Sequence, residues 1–250
     1  MKKNIDDAIS WIKKQDIRGC ITGSCMLGYF ENQDIDVFVY DEKSFNKLLF
    51  AMYYGDKFLI LDKLEQWKFD RQVNAIESNK APFGINTIKF TYNTCIPVNI
   101  IYKKHCYNIF SVLSSFDMDI ISLGYDIETK QYLDLSGDSH KTKKASWNKW
   151  NTSYYNPDLW EISRILRQLE RVIKYHKRGY DTDDVLKKYI TLIKEIQQYQ
   201  NIFNSINFSE KLKVRKKNAK IVKEICEVWL NTHKITDKQL ETLTQKIKEI

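Results

Sequence analysis

Two aspartates spaced two apart, Asp34 and Asp36, head an otherwise apolar run that continues through Tyr40. If residues 34 to 40 form a strand, both carboxylates leave one face roughly 7 Å apart and can reach one divalent ion. Ile35, Val37 and Val39 then point to the opposite face and Phe38 continues the first, so the strand is buried on both sides except where the aspartates emerge. Upstream, Gly23-Ser24 follows the short apolar Cys20-Ile21 and precedes Cys25-Met26-Leu27, which reads as a strand turning sharply into a short helix. N–H groups at a helix start favour phosphate, glycine permits close backbone approach, and a serine hydroxyl adds a donor. Nine residues separate Ser24 from Asp34, enough for a helical turn or two and a return to the neighbouring strand. A cradle for a triphosphate and a carboxylate pair would then be adjacent.

This arrangement resembles the signature of the DNA polymerase β-like nucleotidyltransferase superfamily: an apolar residue, Gly, Gly or Ser, about ten residues, then Asp, apolar, Asp or Glu. The resemblance implies that Asp34 and Asp36 bind divalent Mg²⁺ or Mn²⁺. The ions would align a nucleoside triphosphate and an attacking hydroxyl for in-line transfer with loss of pyrophosphate. Gly23 and Ser24 take the phosphates in that reading.

Residues 85 to 92 alternate, and Asn93-Thr94 separates them from a second run, Cys95 to Tyr102, so a β-hairpin is expected. In the superfamily the strand matching this second run usually offers a third metal carboxylate from the face that here carries Pro97, Asn99 and Ile101. Asn99 stands in that place, and an amide supplies no negative charge. A helix from about His105 to Ser114 leads into Phe116-Asp117-Met118-Asp119, a second Asp-x-Asp with Asp117 and Asp119 on one strand face and Phe116, Met118 and Ile120 on the other.

At this point the chain is similar to a narrower group of nucleotidyltransferase-like proteins from large viruses, phages and fungi. The matching features are Asn86-x-Ile-x-Phe, Phe116-Asp117-Met118-Asp119, Gly124-Tyr125-Asp126, a basic residue before Ala145, and Lys174-Tyr175-x-x-Arg178-Gly179-Tyr180. The resemblance spans residues 20 to 180. Two readings of Asp117 and Asp119 stay open: one of them supplies the third charge, or they cap a helix or face solvent at a sheet edge.

Positioning these groups requires a layered core. Ile5, Ala8, Ile9 and Ile12 recur at helical spacing, and Asp41 can cap a helix whose Phe45, Leu48, Leu49 and Met52 form one face before Gly55. Residues 58 to 79 fit either a strand at Phe58-Leu59-Ile60-Leu61 or a helix through Trp67 and Val73. From Asp158 the pattern turns to long helices. Leu159, Ile162, Leu166, Leu169 and Ile173 mark one face, while Arg164, Arg167, Arg171, Lys174 and Arg178 form a basic stripe opposite. Such a stripe either tracks the phosphates of a nucleic acid or is a solvated face.

With 250 residues and 43% apolar content, the chain can build one or two cored domains, and a net charge of +8 favours polyanionic partners. Five cysteines without zinc-like spacing suit a reducing compartment. The absence of a span-length apolar run and the early charges of the N-terminus point to a cytoplasmic protein with no membrane segment. The expectation is an α/β (α+β) nucleotidyltransferase core with a mixed, largely antiparallel sheet over residues 1–140 and a helical domain over 141–250. The activity the resemblance implies is transfer of a nucleoside monophosphate from a triphosphate to a hydroxyl, with RNA as the expected acceptor. The alternative is a catalytically weakened fold that binds nucleic acid or a partner.

Overall fold

The structure, a computed structural model, describes residues 2–30, 33–78, 87–151, 171–172 and 174–189. Its chain divides into two compact units, Met1–His140 with Asn148–Thr152, and Lys141–Trp147 with Ser153–Ile250. In the first unit the order is α1 (Lys2–Lys13), β1 (Gly19–Thr22), β2 (Ile35–Val39), α2 (Glu42–Tyr53), β3 (Phe58–Leu59), α3 (Lys63–Glu77), β4 (Thr87–Tyr92), β5 (Ile96–Tyr102), α4 (Ile109–Ser114), β6 (Leu123–Asp126) and β7 (Tyr132–Asp134). A last short helix, α5 (Ser139–Thr142), follows β7. The seven described strands form one sheet in the order β3-β4-β5-β2-β1-β6-β7, and neighbours run antiparallel except β2 beside β5. The mixed, largely antiparallel α/β architecture expected from the sequence is therefore the one observed.

Period-two alternation along β2 divides the structure into layers. Ile35, Val37 and Val39 enter a core built from Ile5, Ala8 and Ile12 of α1 and from Phe45, Leu48, Leu49 and Met52 of α2. Phe38 leaves the other face and packs with Cys20, Tyr40, Cys106 and Val112 under α4. Each aliphatic side chain fully withdrawn from water contributes about 1.5–3 kcal/mol, so both faces fix the register of β2. A slip by one residue would drive Asp36 into the main core.

Local chemistry sets the element ends. The Asp41 carboxylate accepts from Ser44 N at the start of α2. Asp62 accepts from Leu64 N and Glu65 N and starts α3, so residues 58 to 79 hold both a two-residue strand and a helix. The expected hairpin is present: Tyr92 pairs with Ile96 across a three-residue loop in which Asn93 and Thr94 take φ 46 and 58 and Cys95 N donates to Tyr92 O. Helix α4 is shorter than the sequence suggests: Asn108 and Ser111 form a reciprocal capping box, and the chain before it turns with Cys106 N donating to Lys103 O.

The strand expected over the second Asp-x-Asp is not formed. Met118 is extended and buried, and Asp119–Ile121 make a 3-10 turn that buries Ile120 and Ile121, so Asp117 and Asp119 do not share a strand face. The segment is pinned by Asn148, which is fully buried. Its side-chain nitrogen, with two N–H groups, is shared among Leu113 O at 3.0 Å, Phe116 O at 2.9 Å and Ser122 Oγ at 3.0 Å. Asn148→Ala is expected to cost about 1–3 kcal/mol, because buried carbonyls lose their donor. Urea unfolding measures this, and a loss below about 0.5 kcal/mol, the range of a neutral surface change, would contradict it.

In the second unit, Lys174-Tyr175-x-x-Arg178-Gly179-Tyr180 is a helix end. Tyr180 N donates to Tyr175 O and Gly179 N to His176 O, with Gly179 at φ 81, and the Tyr175 and Tyr180 rings meet edge-on at 5.9 Å. These are the paired hydrogen bonds and apolar contact of a Schellman cap. The motif thus has a structural explanation. Most of the helical domain expected over 141–250 lies outside the described residues, and no described helix is long and apolar enough to cross a membrane.

Candidate active site

Cross-strand registration assembles one lateral row. Thr22 of β1 opposes Asp36 of β2, Asp36 opposes Asn99 of β5, and Asn99 opposes Lys89 of β4. Residues directly opposite share a face, so Asp36 stands between a threonine and an amide with an exposed lysine beyond. Asp34, two residues earlier, joins the same face, and both carboxylates are half-buried. Asn99 Nδ2 donates to Asp36 Oδ1 at 2.8 Å and approaches Asp34 Oδ2 at 3.4 Å. The amide bridges the two like charges and holds their carboxylates in register.

The Gly23-Ser24 turn lies against this pair. Gly23 has φ 87 and ψ −158, a region open in practice to glycine alone, and a Cβ there would meet Asp36 Oδ2 at 2.8 Å. Ser24 begins a 3-10 turn, Ser24–Met26, and is 4% exposed. Its Oγ is buried with no hydrogen-bond partner among the described residues, which in a polar loop marks a donor waiting for a ligand atom. Gln33, itself buried, stitches the loop to the head of β2 by donating to Ser24 O at 2.6 Å and Gly28 O at 2.7 Å. Cys25 Sγ donates to Thr22 O at 3.3 Å. Burial pushes its thiol well above the ordinary range and the nearby Asp36 carboxylate pushes it further.

The other residues singled out from the sequence lie elsewhere. Asp117 is buried, and its backbone carbonyl accepts from Asn148 N. The Asp119 carboxylate accepts from Ser139 Oγ. Among the described residues no group of three histidine, cysteine or carboxylate side chains is placed to hold one metal ion, so neither aspartate stands with Asp34 and Asp36 as a third ligand. Of the basic stripe, Arg164 and Arg167 lie outside the described residues. Arg171, Lys174 and Arg178 are half-buried in the second unit, with the Arg178 guanidinium 5.4 Å from the Tyr175 ring centre.

Gly124 and Asp126 of the Gly-Tyr-Asp motif are structural. A Cβ at Gly124 would lie 3.0 Å from Ile21 O, and Asp126 accepts from the Tyr40 hydroxyl at 2.7 Å and from Thr129 N at 2.8 Å. Gln33 and Lys89 were not singled out in the sequence. Gln33 carries no periodic or motif signal, whereas Lys89 could have been found by pairing the hairpin residue for residue.

The fold and site define an α/β protein with a carboxylate pair at the mouth of a central strand and a glycine-serine turn against it. No family model matches the chain, and no curated protein matches it. A solved structure described as a tRNA-processing enzyme (apo form 2) aligns over 99% of this chain and 72% of its own, with 14% identity and a TM-score of 0.39.

Proposed function

We propose that the chain is a metal-dependent nucleotidyltransferase that moves a nucleoside monophosphate from a nucleoside triphosphate to a hydroxyl, with RNA as the acceptor. The observation that carries this reading is the close approach of Gly23 to Asp36 in a turn whose next residue, Ser24, has a buried hydroxyl with no partner among the described residues. Clustered like charges are costly in a fold unless something offsets them, and a bound cation offsets them most fully.

The donor set fits Mg²⁺ or Mn²⁺. Such ions are commonly held by one or two protein carboxylates, with water and substrate phosphate oxygens completing the shell, so Asp34 and Asp36 suffice. The bound ion would neutralise the triphosphate and align it for in-line displacement. The chain's own residues do the rest. Asp34 and Asp36 hold a fixed geometry because Asn99 ties them together, Ser24 Oγ donates to a phosphate oxygen, and Gly23 leaves room for the approach. Lys89 adds an exposed cation on the same face. The hydroxyl oxygen bonds to the α-phosphorus as the bond to the pyrophosphate oxygen breaks, and its proton passes to solvent at the open side of the site.

Incubation of the full chain with each α-labelled triphosphate, Mg²⁺ or Mn²⁺ and pooled RNA tests this reading. Label is expected on RNA with metal and not with chelator. No transfer together with no metal-dependent nucleotide binding would overturn it.

A second reading, a catalytically weakened fold kept for binding, is favoured by Asn99, whose amide steadies the aspartates without a cation. Asn99→Asp separates the two. It replaces a donor by a third negative charge, so the variant in chelator is expected to lose about 1–3 kcal/mol and to regain it in excess Mn²⁺. If Mn²⁺ stabilises the variant no more than the parent, the row does not form a metal site.

A further inference from the structure

Helix α4 covers the sheet on the side from which the aspartates emerge. Cys106 and Val112 pack with Cys20 and Phe38 there, and the Phe116 ring meets Phe38 edge-on at 5.8 Å. Outward, the same region displays three large aromatic side chains: Tyr107 at 64% exposure, Phe110 at 46% and Trp150 at 43%. Phe110 and Trp150 meet edge to face, with centroids 5.8 Å apart and planes at 72°.

Trp150 is held, not merely exposed. Its backbone N–H donates to Asn148 Oδ1 at 3.1 Å, Asn151 N donates to Asn148 O at 2.9 Å, and Asn151 Nδ2 donates to Phe116 O at 3.1 Å. Asn148 itself is anchored in the core of the first unit, so the turn bearing Trp150 is rigid on a rigid base. The surroundings are basic. The Lys149 ammonium lies 5.3 Å from the Trp150 ring centre, that of Lys103 lies 5.4 Å from Phe38, and Lys104 is exposed. No carboxylate occurs from Lys103 to Phe116 or from Asn148 to Asn151.

We propose that this surface binds single-stranded RNA, with bases stacked on Trp150 and Phe110 and phosphates held by Lys103, Lys104 and Lys149. This deepens the nucleotidyltransferase reading by naming the form of its acceptor, and rests on that reading for the link to transfer. Aromatic faces held in place stack any base, and lysines beside them attract the backbone, whereas a duplex keeps its bases out of reach. The surface lies on the same side of the sheet as Asp34 and Asp36, since Phe38, which packs under α4, shares their face of β2.

The test is fluorescence anisotropy of a labelled single-stranded RNA of ~12 nucleotides, a length in the range of one binding surface, against the full chain and against the same RNA as a duplex. Tight single-strand binding and weak duplex binding are expected. Trp150→Ala and Phe110→Ala should each weaken it about tenfold, Trp150→Phe should stay near the parent, and Lys149→Gln should flatten the salt slope by about 0.7. Thermal melts establish that each variant is folded. Mg²⁺-dependent nucleotide binding, titrated separately, should be unchanged in all four. Equal affinity for duplex, no affinity for single strands, or folded alanine variants that bind like the parent would each overturn the proposal. Loss of nucleotide binding in the parent with these effects intact would instead count against the transferase reading.

Discussion

Replacing Asp34 and Asp36 together by alanine is expected to reduce metal-dependent nucleotide binding and transfer to background while the fold survives. Two carboxylates facing one ion provide several kcal/mol of charge stabilisation, so at about 1.4 kcal/mol per decade the loss is on the order of a thousandfold or more. Stability should move little. Asn99 loses two acceptors, but it is half-buried, and the mutual repulsion of the pair goes with them. Isothermal titration of nucleotide with Mg²⁺, alongside a thermal melt, reads both. A double variant that binds nucleotide like the parent would remove the metal site from the interpretation.

Gly23→Ala is expected to have the next largest effect, and through two routes. Its backbone sits at φ 87 and ψ −158, where any side chain adds strain of about 1–3 kcal/mol. Its new Cβ would also stand 2.8 Å from Asp36 Oδ2, so the carboxylate must turn away or the loop must retreat from β2. Either response separates the Ser24 hydroxyl from the pair. Affinity for Mg²⁺ and nucleotide should fall about tenfold or more, the scale seen when groups that orient metal ligands are displaced, together with a lower melting temperature. A control replacement at Gly137, also at positive φ but with open space around it, should strain the backbone without touching the site. If both variants lose stability alike and neither loses nucleotide affinity, Gly23 is only a turn residue.

The sheet was legible because its strands alternate and both faces of β2 are apolar, which leaves one register that buries Ile35, Val37 and Val39. The hairpin was legible from Asn93-Thr94. The site was legible in part: Asp34 and Asp36 share a face in any strand, and nine residues allow the Gly23-Ser24 turn to return to a neighbouring strand, while the pairing of turn and carboxylates rested on the resemblance. Phe116-Asp117-Met118-Asp119 misled because four alternating residues suit a strand and an irregular buried turn equally. What decided between them was distant, namely the Asn148 amide and the burial of Ile120 and Ile121. Gln33 could not be foreseen either, since its role depends on a loop returning beneath it. Asn99 was visible as a departure from the usual carboxylate, but its function as a bridge between two aspartates emerges only when β5 is laid beside β2.

The most direct measurement is a crystal structure of the full chain with Mn²⁺ and a non-hydrolysable nucleoside triphosphate, located by anomalous scattering. The expected result is an ion with carboxylate oxygens of both Asp34 and Asp36 at about 2.1 Å, and a phosphate oxygen within hydrogen-bond distance of Ser24 Oγ. An ion bound away from these two aspartates, or a triphosphate that leaves the Gly23-Ser24 turn untouched, would contradict it.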